Sequence, residues 1–293
     1  LPYSSAFFSP MKRSMVFQVF LNNEGNVYFS LSISHKISLN MNKYLSIITD
    51  DHLLTCIANL HNSYLRAKNN ITRDHFYANK VDSIKLTFDS KFNDISEEDL
   101  IQSEILRQID KSINNSIGTF HEQILGGVKG YEIGKFSGFD IKAEDNSLFA
   151  DIKNKHNTMN SSSAQALFQK LSRYADDNKK AKCYWVQILA TKSFNTLWSG
   201  VINGKEYSHS RVYKISGDQF YALVTGEDDA FYKLYKVLPK AIVDYLNTLK
   251  NEDSVPENSA LDEIKTTIKT TNRSILDQIT FDNYSYYLGF KEL

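Results

Sequence analysis

The sequence has little cysteine and contains no long apolar run. Its 293 residues include two cysteines, Cys56 and Cys183, without the C-x-x-C spacing of a metal or redox motif. This usage favours a reducing compartment, argues against a structural zinc site and identifies both cysteines as core residues. No stretch of 18 apolar residues occurs, so we predict a soluble, cytoplasmic protein without a membrane span.

An excess of either charge is also lacking. The 34 lysines and arginines balance 34 aspartates and glutamates, and the formal net charge is zero. A neutral chain has no global field to attract a polyanion, so a site for nucleic acid must come from a local cluster of charge. The G-x-S-x-G motif of serine hydrolases is absent as well, which leaves that class of enzyme poorly supported.

The first forty residues are expected to be an extension. The apolar segments VFQVF and VYFSLSIS flank the polar sequence NNEGN, and this pattern predicts a β-hairpin. An amphipathic segment begins directly after Met41. We therefore interpret Met41 as the native start and residues 1–40 as an upstream extension.

The order of elements after Met41 predicts an α/β (α+β) fold with a mixed central sheet flanked by helices. Helical spacing up to Gly126 predicts three successive helices, the last being IGTFHEQIL, and strand-like spacing follows. Ser161 to Ser163 is the expected N-cap cluster of the helix AQALFQKLSRYADD. The buried strands AKCYWVQILAT and RVYKIS come next, and Pro239 is expected to kink or split a later helix.

This organisation predicts one main domain with additions. Residues 41–250 form the main domain, which begins with a helical N-terminal part. The polar linker NEDSVPENS then leads into a helical C-terminal annex, residues 251–293.

The segment FDIKAEDNSLFADIK places three charged residues on a predicted hairpin. With a turn at Asp145-Asn146, Asp140 lies opposite Asp151, where cross-strand Cβ atoms are about 5 Å apart and like charges destabilise the pair. A divalent cation such as Mg²⁺ would compensate, because hard ions bind one or two carboxylates together with water and substrate phosphate. Lys153 emerges on the same face as Asp151. Such a group can hydrolyse phosphate esters.

Two neighbouring features favour this chemical interpretation. Leu148, Ala150 and Ile152 form an apolar stripe that places the strand against a core and its polar face in a cleft or in solvent. Residues 153–182 carry seven lysines and arginines against two aspartates, a net of +5 where a nucleic-acid backbone would need it. The competing interpretation is a surface Asp-Lys pair worth about 0 to 1 kcal/mol beside a solvated helix face.

A family resemblance starts from this hairpin. Gly138-Phe139-Asp140 followed by Asp151-Ile152-Lys153 resembles the PD-(D/E)xK nuclease signature, with phenylalanine in place of proline. The longer stretch DIKNKHNTMNSSS is similar to type II restriction endonucleases of the SinI type, which cut GGNCC or GGWCC sites. The resemblance extends to IGTFHEQILG upstream and GDQFYALVTGEDDAFYKLYKVLPKAI downstream, and it covers roughly residues 44–249. The usual glutamate of the ExK position is aspartate here, a shorter ligand.

The resemblance implies a PD-(D/E)xK restriction-endonuclease-like core that hydrolyses double-stranded DNA with Mg²⁺ at a short palindromic GGNCC-like site, within a restriction-modification system. It assigns Asp140 and Asp151 as metal ligands and Lys153 to the attacking water. Nucleases of this superfamily often take a further carboxylate from the preceding helix. Glu122 is the first candidate and Glu104 the second.

The resemblance also implies DNA contacts and symmetry. The candidates for contacts to phosphates or bases are Lys155, His156, Asn157, Asn160 and Ser161. Turn formation and helix capping are their alternative roles, and His121 is expected to pack rather than to catalyse. Because a palindromic site has two-fold symmetry, we predict a homodimer. A repair or recombination nuclease of the same fold, and a non-catalytic DNA-binding module, are the alternative functions.

Overall fold

The chain divides into two units, residues 1–41 and residues 42–293. The first unit contains two antiparallel strands, β1 (Met15–Leu21) and β2 (Val27–Ile33), so the predicted hairpin is confirmed. A computed structural model describes the following residues: 15–21, 27–33, 42–69, 71–134, 138–157, 159–249, 260–271 and 273–284.

The second unit begins with four helices: α1 (Asp50–Asn69), α2 (Arg73–Ala78), α3 (Ser83–Asn93) and α4 (Glu97–Gly126). Helix α4 has 30 residues and unites the second and third predicted helices, so the prediction of a break between them was wrong. The polar stretch between them contains neither glycine nor proline, and its side chains bond the helix itself. Asn114 donates to the Asp110 carbonyl at 2.9 Å, and Ser116 donates to the Ser112 carbonyl at 3.0 Å.

Gly127 directly follows α4, and a close approach rather than its backbone conformation explains the glycine. Its φ of −91° is accessible to any residue, so no left-handed turn requires glycine here. A Cβ at this position would lie 2.2 Å from Nε2 of His52, whose ring bonds the Gln123 carbonyl at 2.8 Å. Glycine is therefore needed because α1 approaches the end of α4 so closely.

A six-stranded sheet follows in the order β3-β4-β5-β6-β10-β7. Its strands are β3 (Tyr131–Ile133), β4 (Ile141–Ala143), β5 (Leu148–Lys155), β6 (Lys182–Leu189), β7 (Asn195–Leu197) and β10 (Val212–Ser216). Strands β5, β6 and β10 run parallel in the centre, and antiparallel strands lie at both edges. A separate hairpin consists of β8 (Gly200–Ile202) and β9 (Lys205–Tyr207).

Three helices accompany the sheet: α5 (Ser161–Asp177), α6 (Gly217–Thr225) and α7 (Ala230–Leu246). Helix α5 joins the parallel strands β5 and β6. The mixed sheet flanked by helices confirms the predicted fold class.

Both faces of strand β5 are covered. Leu148, Ala150 and Ile152 are buried in a cluster with residues of α1, α4, α6 and α7, which confirms the predicted apolar stripe. Phe149, on the opposite face, is buried against α5, and Asp151 is only 8% exposed. This face is therefore covered by α5 at Phe149, whereas the cleft predicted for its polar residues, Asp151 and Lys153, stays a prediction.

Two predicted boundaries are corrected. Asn160, rather than the serines after it, caps α5: its side-chain oxygen accepts the Ser163 amide at 2.8 Å. Helix α7 continues through Pro239 without splitting. Pro239 lies on the exposed side, where water can take the carbonyl that it leaves unpaired, and the buried residues Leu234 and Ala241 anchor the helix on both sides of it.

The C-terminal helices α8 (Ala260–Thr271) and α9 (Ile275–Tyr284) pack on the helices at the beginning of the unit. Ile264 and Ile279 share an apolar cluster with Phe76 of α2 and Ile101 of α4. The predicted linker NEDSVPENS lies outside the described residues.

The predicted cysteine environment is confirmed. Cys56 and Cys183 are buried free thiols, and burial raises the pKa of each to about 12. Within the described part of the chain, no helix is both long and apolar enough to cross a membrane.

Candidate active site

The β4–β5 hairpin has the register predicted from its sequence. Ile141 pairs with Ala150, and the Asp140 amide donates to the Ala150 carbonyl at 3.0 Å. Asn146 in the turn adopts the left-handed region at a φ of 58°, which asparagine tolerates well. This register brings Asp140 beside Asp151, as predicted.

The two aspartates lie in a poorly solvated environment. Oδ2 of Asp140 accepts the Ile152 amide at 2.6 Å. Burial is the largest influence on Asp140 and raises its pKa, and the charge of Asp151 raises it further. The Ile152 amide and the ammonium groups of Lys153 and Lys170 oppose this shift. The electrostatic conflict that the sequence predicted therefore exists and is offset only in part.

Two lysines approach Asp151. The Lys153 ammonium contacts Oδ1 and lies 3.3 Å from the Ile152 carbonyl, whereas the Lys170 ammonium lies 3.2 Å from Oδ2. Oδ1 is buried, and its contact with Lys153 lacks hydrogen-bond geometry, so this oxygen has no hydrogen bond to another described residue. In the absence of a metal the Lys153 ammonium is the counter-ion of this oxygen, and a bound cation could take its place.

The donors fit a hard metal ion with an incomplete protein shell. Among the described residues, no three His, Cys, Asp or Glu side chains are grouped as a set of metal ligands. Asp140 and Asp151 would therefore hold an ion that completes its shell with water and phosphate oxygens. Mg²⁺ is commonly bound in this way, whereas structural Zn²⁺ is enclosed by four protein ligands.

Glu122 on α4 belongs electrostatically to this cluster. Burial, then the charge of Asp140, and to a smaller extent Asp151, raise its pKa to about 7, and Lys153 opposes them. The second candidate, Glu104, lies 18 residues earlier on the same helix, or about 27 Å away along its axis. The structure thus brings Glu122 to the cluster and leaves Glu104 far from it.

The surroundings of Glu104 confirm its separate role. Its carboxylate accepts two bonds of 2.6 Å from Arg107 and one of 3.0 Å from Gln108. Burial opposes ionisation, but these bonds dominate and lower the pKa of Glu104. Gln108 also donates to the Phe76 carbonyl at 3.2 Å, so this carboxylate supports the packing of α2 on α4.

His121 packs in the core, as expected. Its Nδ1 lies 2.9 Å from the Tyr221 hydroxyl, and its ring stacks on Phe231 with centroids 6.0 Å apart. Burial lowers the pKa of His121 to about 4, so the ring is neutral near neutral pH.

The predicted DNA contacts begin at the last residue of β5, Lys155, at the carboxyl end of the parallel strands. Lys155, His156 and Asn157 are exposed there. The His156 amide donates to the Leu189 carbonyl at 3.2 Å, which fixes this loop to the end of β6. Ligands of open α/β sheets bind at this end of the strands.

The last two predicted contacts have different surroundings. Both Asn160 and Ser161 are exposed, but the side-chain oxygen of Asn160 is used by the cap of α5. Ser161 is the first residue of that helix.

Sequence reasoning missed one residue of the site, Lys170, and it did not consider Gln187, a buried neighbour of the site in the register of the sheet. Lys170 was only one of several cations in a basic region, although its ammonium contacts Asp151 from α5. Gln187 pairs in register with Lys153 from strand β6 and is 7% exposed. The available signal for Gln187 was a single polar residue within the apolar strand CYWVQIL.

Comparisons with known proteins cover the whole of this site. The family model described as Eco47II restriction endonuclease matches residues 45–247. The type II restriction enzyme Sau96I of Staphylococcus aureus is 42% identical over 262 residues, which are 85% of this chain and 99% of that protein. The type II restriction enzyme Eco47II of Escherichia coli is 29% identical over 209 residues, 68% of this chain and 86% of that protein.

Proposed function

This chain belongs to the Eco47II restriction endonuclease family, and we propose that it cleaves double-stranded DNA with Mg²⁺ at a short palindromic site of the GGNCC type. The prediction of a type II restriction endonuclease, a DNA-cleaving hydrolase, is confirmed by the family and by the two similar enzymes. The SinI type, the recognition sequence and the choice of metal remain predictions.

One observation carries the proposed chemistry. Asp140 and Asp151 are neighbours across the hairpin, poorly solvated, and Oδ1 of Asp151 has no hydrogen bond to another described residue. The two lysines that contact Asp151 offset this repulsion only in part, because the pKa of Asp140 remains raised and like charges opposite each other destabilise a hairpin. A site that binds a divalent cation explains why the sequence retains this pair.

The proposed mechanism assigns a role to each charged group. Asp140 and Asp151 would hold Mg²⁺, which polarises the phosphoryl oxygen and acidifies a water molecule when bound. The side chain of Lys153 is 34% exposed, so its ammonium can hold the attacking water at the scissile phosphate and offset developing negative charge. The pKa of Glu122 is about 7 without a metal, and a bound cation would favour its ionised form, which can accept a proton from the attacking water.

DNA binding and assembly complete the proposal. Lys155, His156 and Asn157 would contact the DNA, with Ser161 and the amide nitrogen of Asn160 nearby, and the net charge of +5 over residues 153–182 would attract its backbone. A homodimer would match the two-fold symmetry of a palindrome. A restriction-modification system would supply the methyltransferase that protects the host DNA.

Digestion of a sequenced plasmid tests this function. With Mg²⁺ we expect discrete bands whose mapped ends fall at GGNCC-type sites, and no cleavage with EDTA or with Asp151→Asn. A smear would indicate a repair or recombination nuclease without sequence recognition. DNA binding without cleavage under Mg²⁺, Mn²⁺ or Co²⁺ would identify a non-catalytic module. Light scattering with and without a cognate duplex tests the homodimer.

A further inference from the structure

The two lysines that contact Asp151 are held in different ways. Lys153 contacts only groups of its own strand in the bonds described above, namely Oδ1 of Asp151 and the carbonyl of Ile152. Lys170 approaches from α5, and its ammonium contacts both Oδ2 of Asp151 and the carbonyl of Gly138. Lys170 thus joins the segment before β4 to strand β5, whereas Lys153 does not.

Lys170 is also fixed in place by an aromatic cluster. Its ammonium lies over the Phe139 ring, 4.2 Å from the centroid. That ring packs edge to face on Tyr174 of α5, with centroids 4.5 Å apart, and is 5.3 Å from Phe149 of β5. The ammonium is therefore stabilised twice, by the aromatic face and by the carboxylate, and these contacts offset the conformational entropy that the side chain loses.

We propose that Lys170 is the built-in counter-ion of the site, the cation that neutralises Asp140 and Asp151 until a divalent metal binds. Gly138 and Phe139 directly precede Asp140, so the contacts of Lys170 fix the approach of one carboxylate to the other. This inference rests on the proposed function, because it requires a divalent metal site at the two aspartates.

The arrangement has a cost that can be measured. A fixed positive charge 3.2 Å from Oδ2 of Asp151 stabilises the metal-free carboxylates and repels an incoming cation. Lys170 and the metal ion therefore compete to neutralise the same pair. Removal of the charge should weaken the metal-free fold and strengthen metal binding at the same time. A lysine that served packing alone would affect only the first quantity.

Ca²⁺ titration of the full chain without DNA tests this competition. We expect Lys170→Met to lower the thermal unfolding midpoint in EDTA. In calorimetry it should lower the Ca²⁺ dissociation constant about tenfold, which corresponds to the shift of about one pKa unit that a neighbouring charge causes in an ionisable group. Lys170→Gln, which can still donate to Gly138, should bind Ca²⁺ more tightly as well and serves if the methionine variant does not fold. Lys170→Arg should keep the wild-type affinity.

A matched control separates local contact from general charge. Arg173→Met removes the same charge from an exposed position on α5, three residues further along, and should leave Ca²⁺ affinity unchanged. Equal or weaker Ca²⁺ binding by both neutral Lys170 variants would overturn the inference while the proposed function stands. Wild-type protein that binds no divalent ion and cuts no DNA would overturn the metal site itself.

Discussion

Two neighbouring groups of residues differ in their exposure to solvent. The charge cluster consists of Asp140, Asp151, Lys153 and Lys170 with Glu122, and the tail consists of Lys155, His156 and Asn157 at the end of β5. Asp151 is 8% exposed and contacts two lysines, whereas Lys155, His156 and Asn157 are exposed. In the charge cluster each charge changes the pKa of its neighbours, so the position of each side chain determines its protonation and therefore what it can do in catalysis. At the exposed residues solvent screens the charges, so burial restricts their roles much less.

Lys153→Ala gives the largest expected effect. We expect the single-turnover cleavage rate to fall at least about 10³-fold, because the ammonium that stabilises the phosphate charge is lost. Affinity for a cognate duplex, measured with Ca²⁺, should change less than about threefold. Lys155→Ala, two residues further on the same strand, is the control and should cut at nearly the wild-type rate once DNA is saturating. Equal rate losses in both variants would remove the distinction between cluster and tail.

The sequence predicted the part of the charge cluster that lies on the β4–β5 hairpin. A turn at Asp145-Asn146 and the alternation of side chains along a strand were enough to place Asp140 beside Asp151, because register fixes every pair of a short hairpin. Lys170 was not predictable in this way. It contacts Asp151 from helix α5, and the sequence alone does not predict how that helix is placed against strand β5.

The helices show the same limit. Periodicity located the apolar positions of α4, but the helix continues through a polar stretch because its side chains bond the helix carbonyls and its ends are packed on different clusters. The cap of α5 was predicted within Ser161 to Ser163 but is Asn160, since asparagine and serine are nearly equal in capping and only the backbone conformation decides between them.

Glu122→Gln tests the pH dependence of the cluster. The pKa of Glu122 rises from 4.5 to about 7 on folding, so its ionisation destabilises the fold as pH rises through this window. After a discount for partial exposure we expect wild type to lose about 1 to 2 kcal/mol between pH 5 and pH 8 from this group. The variant should lack this loss and be the more stable protein at pH 8 in urea unfolding without metal.

Glu104→Gln, on the same helix, should change the stability at pH 8 in the opposite direction. The pKa of Glu104 is lowered on folding, so its ionised form stabilises the fold at pH 8, and this variant should be less stable there than wild type. Parallel pH curves for wild type and Glu122→Gln would place Glu122 outside the cluster.

Lys155→Ala should have a smaller effect, confined to DNA binding. If its ammonium meets a phosphate, the slope of log affinity against log salt should decrease by about 1, and affinity should fall by about three- to tenfold for any duplex sequence. His156→Ala is the informative partner: a loss that is larger for the cognate duplex than for others indicates a base contact. An unchanged salt slope for Lys155→Ala would exclude a phosphate contact at this position.

Asn160→Ala should have the smallest effect on DNA binding and stability. It tests whether the residues that contact DNA extend from the tail to Asn160. The side-chain oxygen already accepts the Ser163 amide at 2.8 Å, so its removal should cost about 0.5 to 1 kcal/mol of unfolding free energy. Asn160→Asp keeps the cap acceptor but adds a negative charge beside the proposed DNA path. We expect it to retain stability and to lose affinity, because repulsion of phosphate needs no direct contact. If Asn160→Ala instead keeps its stability and loses cognate affinity, the residue belongs to recognition, and the tail extends into the first turn of α5.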